Sequence, residues 1–119
     1  METYISFIHY RFNSYPEESI CIGMIMIDSK TNKYIARLSD IKLKLLKKVL
    51  INKGCFKAFK INVEQLITYP ELSVKYIDRL HRYQNGILKI DKPSGINTSL
   101  DSFDSLFEKR IEGSFKINN

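Results

Sequence analysis

The chain opens on a run rich in aromatic and β-branched residues, Tyr4 to Phe12 (YISFIHYRF), which predicts a strand. Ile20 to Ile27 (ICIGMIMI) is apolar at both alternating sets of positions, as in a central strand buried on each face. Gly23 inside that run marks a bulge or a close backbone approach. Asn13-Ser14-Tyr15-Pro16 reads as a turn or loop, and Asp28-Ser29-Lys30-Thr31-Asn32 has turn chemistry too. Lys33 to Leu38 (KYIARL) is the next strand, so the first three elements form an antiparallel meander.

The apolar period then lengthens. Ser39 or Asp40 caps a helix in which Ile41, Leu45, Leu46, Val49 and Leu50 form the inner stripe. Lys44, Lys47 and Lys48 project from its other side, and Asn52-Lys53-Gly54 stops it. Residues 55–61 (CFKAFKI) fit either a strand or an irregular link. Asn62 caps a short helix, Val63 to Thr68, and Pro70 opens another. In that one Leu72, Tyr76, Leu80 and Tyr83 share a face, while Lys75, Arg79 and Arg82 fall at i, i+4 and i+7 on a different stripe. Asn85-Gly86 is a turn, Ile87 to Ile90 a short strand, and Lys92-Pro93-Ser94-Gly95 breaks it. Asp101 caps a last helix with Phe103, Leu106, Phe107 and Ile111 on its inner face. The expected fold class is α+β: an antiparallel β-meander with three or four helices packed on the sheet, one domain over residues 1–113, and a frayed tail over 114–119.

A chain of 119 residues fits one core without staples. The longest apolar run, Ile20 to Ile27, is far short of the roughly 20 residues a membrane helix needs. Met1-Glu2-Thr3-Tyr4 lacks the basic region of a signal peptide, so a cytoplasmic protein is expected. Cys21 and Cys55, the only cysteines, then read as buried reduced thiols. Together with His9 and His81 they make four zinc-type ligands, but none at chelating spacing, so no metal or cofactor is expected.

Charge is where the composition departs from the ordinary. The net charge is +6, and it is concentrated: residues 1–28 carry −3, residues 29–92 carry +10, and residues 93–119 carry −1. A basic middle between mildly acidic ends points to an anionic partner, or else to a solvated lysine-rich surface. The residues best arranged to meet an anion are Lys44, Lys47 and Lys48 on one helix and Lys75, Arg79 and Arg82 on another. Tyr76 and Tyr83 lie near the second set, but their place on the Leu72/Leu80 stripe assigns them to the core.

No phosphate loop, nucleophile elbow or Cys–His dyad pattern is present in the sequence. The acid-x-Lys fragments Asp28-Ser29-Lys30 and Asp40-Ile41-Lys42 lack an upstream acidic partner for a metal-dependent nuclease. His9 and His81 have the right chemistry for a metal-independent ribonuclease, although sequence cannot bring them together.

The order of the elements resembles the bacterial family known as domain of unknown function 3037, over roughly residues 4–112. Ile8-His9-Tyr10 and Glu18-Ser19-Ile20-Cys21-Ile22-Gly23-Met24 match its opening strands. Leu80-His81-Arg82-Tyr83-Gln84-Asn85-Gly86-Ile87-Leu88, Pro93 and Leu106-Phe107-Glu108-Lys109 match its later segments. His9 stands where that family often has Arg, and Cys21 where it has Asn. The resemblance implies a fold rather than an activity, and its members' setting near HipA-like kinases suggests a kinase or toxin partner. The sequence as a whole leads to the expectation of a non-enzymatic binder of RNA or of a ribonucleoprotein. An anti-CRISPR-type inhibitor of an RNA-guided nuclease, carried on a mobile element, is one such protein. The alternatives are a regulatory partner of a HipA-like kinase or toxin, and a ribonuclease using His9 and His81.

Overall fold

Strand β1 (Thr3–Arg11) is an interior strand of a five-stranded sheet, paired along both edges with three other strands. The computed structural model describes residues 3–11, 19–49, 53–83 and 87–113. β1 pairs antiparallel with β2 (Ser19–Asp28), and β2 with β3 (Tyr34–Leu38), which is the expected meander. On the other edge of β1 lie β4 (Leu88–Ile90) and β5 (Ser94–Ile96), giving the order β3-β2-β1-β4 with β5 beside the start of β1. Ser94-Gly95, expected to break the chain, instead forms a ladder with Tyr4 and Ile5. The step from Ile8 to Ile5 on β1 is matched by Ile90 to Ser94, so this edge carries one extra residue. Asp91 N–H still donates to Phe7 O at 3.0 Å, and the bulge falls beyond it at Lys92-Pro93, where Pro93 has no N–H to offer.

Gly23 combines both features expected of it. Ile8 pairs with Gly23 but His9 pairs with Cys21, so Ile22 is the extra residue of a bulge in β2. The Ile22 carbonyl accepts the Ser39 N–H at 2.7 Å. A Cβ on Gly23 would meet Arg37 O and Leu38 Cδ2, each at 2.8 Å. The turn after β2 is closed by Asn32 N–H to Asp28 O (2.7 Å), with Asn32 at φ 59° and Lys30 N–H on Asp28 Oδ1.

Helix α1 (Asp40–Val49) starts where the bulge releases the chain. Ser39, fully buried, is its cap: its Oγ accepts Lys42 N–H at 3.2 Å and donates to Glu112 Oε2 at 2.8 Å. The inner stripe differs from the expected one. Leu43 and Leu46 are buried, whereas Ile41 and Leu45 are 42% and 39% exposed. Lys42 is buried because its Nζ donates to Cys21 O at 2.9 Å, which turns the helix by one position. Leu50 lies outside the described residues.

Helix α2 (Lys53–Ile67) overturns two expectations. Lys53-Gly54 opens this helix rather than ending α1, and 55–61 is neither strand nor link. Phe56, Phe59, Val63 and Leu66 are buried, so the helix runs straight through Asn62, which caps nothing. Helix α3 (Val74–Tyr83) begins later than Pro70. Leu72 N–H bonds Tyr69 O at 3.3 Å, which puts Pro70 second in a tight turn, where its fixed φ is favoured. Ser73 is the cap, its Oγ accepting Tyr76 N–H at 3.1 Å. Leu72 anchors the chain ahead of the helix, and Ile77 is its deepest residue.

α1, α2 and α3 cover one face of the sheet, against Ile8, Tyr10, Ile22, Ile25, Ile27 and Ile90. The other face, with Ile5, Met24 and Met26, is covered by the C-terminal helical segment. That segment is a 3₁₀ turn (Leu100–Ser102), helix α4 (Phe103–Phe107) and a π-helical turn (Glu108–Glu112). Asp101 lies inside the 3₁₀ turn, and the residue before α4 is Ser102. Phe103, Phe107 and Ile111 face inward as expected, while Leu106 is only half-buried. Helices on both faces explain why β2 carries apolar side chains on both faces between Ile20 and Ile27. The expected turns at residues 13–16 and 85–86, and the tail at 114–119, lie outside the described residues. Among the described residues no helix is long and apolar enough to cross a membrane.

Candidate nucleic-acid interface

The basic residues of the middle segment divide into two sets. Arg37 and Lys42 belong to the architecture. Arg37 lies over the rings of Phe103 and Phe107 (5.1 and 5.3 Å) and pairs with Asp104 at 2.7 Å, pinning α4 to β3. Lys42 is committed to the Cys21 carbonyl.

The second set faces solvent. Lys44, Lys47 and Lys48 are exposed on α1, beside the exposed Ile41 and Leu45. Lys75, Arg79 and Arg82 are exposed on α3, where the helical period aligns them along one flank. They line a shallow depression together with Asp78, whose carboxylate accepts from Arg82 Nη2 at 2.9 Å. That ion pair orients Arg82 and spends part of its charge. Lys75 and Arg79 therefore carry the field of this flank. The three lysines and the Lys75, Arg79, Arg82 row sit on separate helices, each presented by the burial of its opposite side.

Between α2 and α3 runs an open groove with a floor from the sheet. Asn62, Gln65 and Leu66 come from α2, Tyr69 from the connecting turn, Tyr76 and Leu80 from α3, and Leu88 and Ile90 from β4. Tyr76 is half-buried and stacks on Tyr69, with ring centroids 4.8 Å apart and planes 24° from parallel. Its ring packs against the core, as the sequence predicts, and also forms a wall of the groove. The Tyr69 hydroxyl donates to Glu71 Oε2 at 3.3 Å. The Glu71 charge beside it holds the phenol above its ordinary pKa, so it stays a neutral donor. The Tyr83 side chain lies outside the described residues.

His9 and His81, far apart in sequence, meet the same short segment. His9 Nε2–H donates to Asp91 Oδ2 at 3.0 Å, and His81 Nδ1–H donates to Ile90 O at 2.8 Å. The pairing pattern of β4 points the Ile90 carbonyl away from β1, so His81 closes the free side of this edge strand. Burial pushes the Asp91 carboxyl up. The His9 hydrogen bond and the charges of His9, Lys89 and His81 outweigh burial and hold it below its ordinary value.

Cys21 sits across the ladder from His9. It is free and half-buried rather than fully buried. Burial raises its pKa, opposed in part by its contact with Gly23 O and by Lys42, so at neutral pH it is a thiol and a poor nucleophile. Of Cys55 the structure describes only its place in α2. The acid-x-Lys fragments have other work: Asp28 Oδ1 accepts within its turn, and Lys42 is buried.

The sequence does not single out Asp91, Gln65 or Tyr69, and it marks Asn62 only as a helix cap. Asp91 falls between the strand expected at Ile87 to Ile90 and the break expected from Lys92. The groove residues were hidden because α2 was read as two pieces. The Phe56, Phe59, Val63, Leu66 spacing is the signal that finds α2, and with it the groove.

No protein-family model, curated protein or solved structure matches this chain.

Proposed function

We propose that the protein is a non-enzymatic binder of RNA or of a ribonucleoprotein. The observation that carries this reading is the exposed row Lys75, Arg79 and Arg82 along α3, beside the tyrosine-walled groove. Phosphate contacts by such a row supply affinity without sequence preference, and aromatic walls accept unpaired bases. Lys44, Lys47 and Lys48 on α1 are a second exposed basic row. An inhibitor that occupies the RNA channel of an RNA-guided nuclease, acting in the cytoplasm, is the specific form of this reading. The test is a pull-down from a lysate of the native host combined with titration of labelled single-stranded RNA at low salt. Recovery of RNA or a nuclease supports the reading; recovery of a HipA-like kinase, with no RNA binding, replaces it with a regulatory role.

A second reading, metal-independent ribonuclease, is favoured by one observation: His9 and His81 converge on Ile90–Asp91. Both rings are held by hydrogen bonds to structural partners, which weighs toward an architectural role. RNA loss that persists unchanged in the His9→Ala/His81→Ala variant rules the second reading out.

A further inference from the structure

We infer that the groove between α2 and α3 receives an unpaired base of single-stranded RNA, with the adjoining phosphates on Lys75 and Arg79; this rests on the RNA-binding reading above. Four observations meet here. The groove is about 360 Å³, within the roughly 300–1,000 Å³ range of small-ligand clefts. Its walls match the two chemistries of a base. Tyr76, Leu66, Leu80 and Leu88 offer flat aromatic and apolar surface to a ring face. The exposed amides of Asn62 and Gln65, together on one wall, offer paired donors and acceptors to a base edge.

The tyrosine wall is fixed in advance. Tyr69 is held by Glu71 and by the stack with Tyr76, while the Tyr76 ring is held by that stack and by packing against the core, on a helix whose first turn Ser73 caps. Little side-chain freedom is lost when a base arrives. The charge beside the groove also selects the occupant. Lys75 precedes Tyr76 and Arg79 lies one turn beyond it, on the exposed flank of the same helix. An acidic peptide would be held by that flank as well, but its backbone does not carry a planar ring with donors and acceptors along its edge beside every anionic group. A base attached to a phosphate backbone has all three features.

The experiment compares binding of a short single-stranded RNA with an abasic ribose-phosphate strand of the same length, using the full chain. Wild type binds the RNA roughly 5- to 150-fold more tightly, the contribution of one stacked base. Tyr76→Leu brings that ratio close to one while leaving the abasic affinity unchanged. Because Tyr76 also contributes to packing, the surface variant Asn62→Ala/Gln65→Ala is the second arm. It keeps the fold by circular dichroism and changes the ranking among the four homopolymers. Equal wild-type binding of RNA and abasic strand overturns the base pocket and leaves the phosphate-binding reading standing. Nucleoside monophosphates competing as well as the RNA does also overturn it, assigning the groove to free nucleotides. Absence of binding to either strand at low salt overturns both readings.

Discussion

Replacing Gly23 with alanine tests whether the bulge in β2 is the hinge of the fold. The new methyl would lie 2.8 Å from Arg37 O, a backbone atom fixed in the β2–β3 ladder, and 2.8 Å from Leu38 Cδ2. The leucine tip can turn aside, but the carbonyl cannot move without opening the ladder. Overpacking of this kind costs about 1–3 kcal/mol. Alanine recovers about 0.5–1 kcal/mol of the backbone entropy that a strand glycine loses, so the net loss centres on about 1 kcal/mol and reaches at most about 2.5 kcal/mol. For a domain of this size each kcal/mol lowers Tm by roughly 4 °C. Gly95→Ala is the matched control. Its methyl would sit 3.8 Å from Tyr4 Cε2, an ordinary contact, so it is neutral or stabilises by up to about 1 kcal/mol. Urea unfolding followed by circular dichroism measures both. Equal effects of the two substitutions, or no effect of Gly23→Ala, would refute the claim that a close backbone approach holds β2 to β3.

Ser39→Ala removes the α1 cap and leaves Glu112 without its hydroxyl donor; a loss of about 1–2 kcal/mol is expected in the same assay. Asp91 has a folded pKa below its ordinary value of 3.8, so its contribution is complete above that pH and lost as the pH falls through the folded value. Asp91→Asn should therefore lower stability by under about 1 kcal/mol at neutral pH, the modest size reflecting a carboxylate 37% exposed. The difference from wild type should shrink in acid, as read from denaturant midpoints across the titration. Cys21, held as a thiol by burial, should be alkylated more slowly in the native protein than after unfolding in urea, measured on its own peptide by mass spectrometry.

The β1–β3 meander was legible because its signals are local, whereas β5 was not, its Ser94-Gly95 pairing with β1 looking like a break. The unbroken apolar run of β2 requires cover on both faces, and α1–α3 and α4 supply it on opposite sides. Gly23 could be read as a bulge or a close approach because few other roles suit a glycine inside a central strand. The helix boundaries were less legible. Asn62 and Pro70 look like start signals, but Asn62 is carried through α2 by Phe59, Val63 and Leu66, and Pro70 serves a turn. A tertiary bond also overrode the α1 stripe: the Lys42–Cys21 contact buries a lysine and turns Ile41 and Leu45 outward.

The basic row on α3 was readable from spacing alone, since exposure follows from the burial of Ile77 on the opposite side. The groove beside it was not readable, because it is made by two helices and an edge strand whose relative placement no local pattern encodes. The convergence of His9 and His81 is of the same kind. It depends on β4 pairing with β1, a contact between residues more than 70 positions apart.

The central claim is that Lys75 and Arg79 contact phosphate. The most direct measurement is the dependence of single-stranded RNA affinity on salt, for wild type and for Lys75→Ala/Arg79→Ala. Each phosphate contact to a single strand contributes about 0.7 to the slope of log K against log salt. The variant should therefore bind more weakly at low salt, with a slope shallower by about 1.4. An unchanged affinity and slope in the variant would contradict the account.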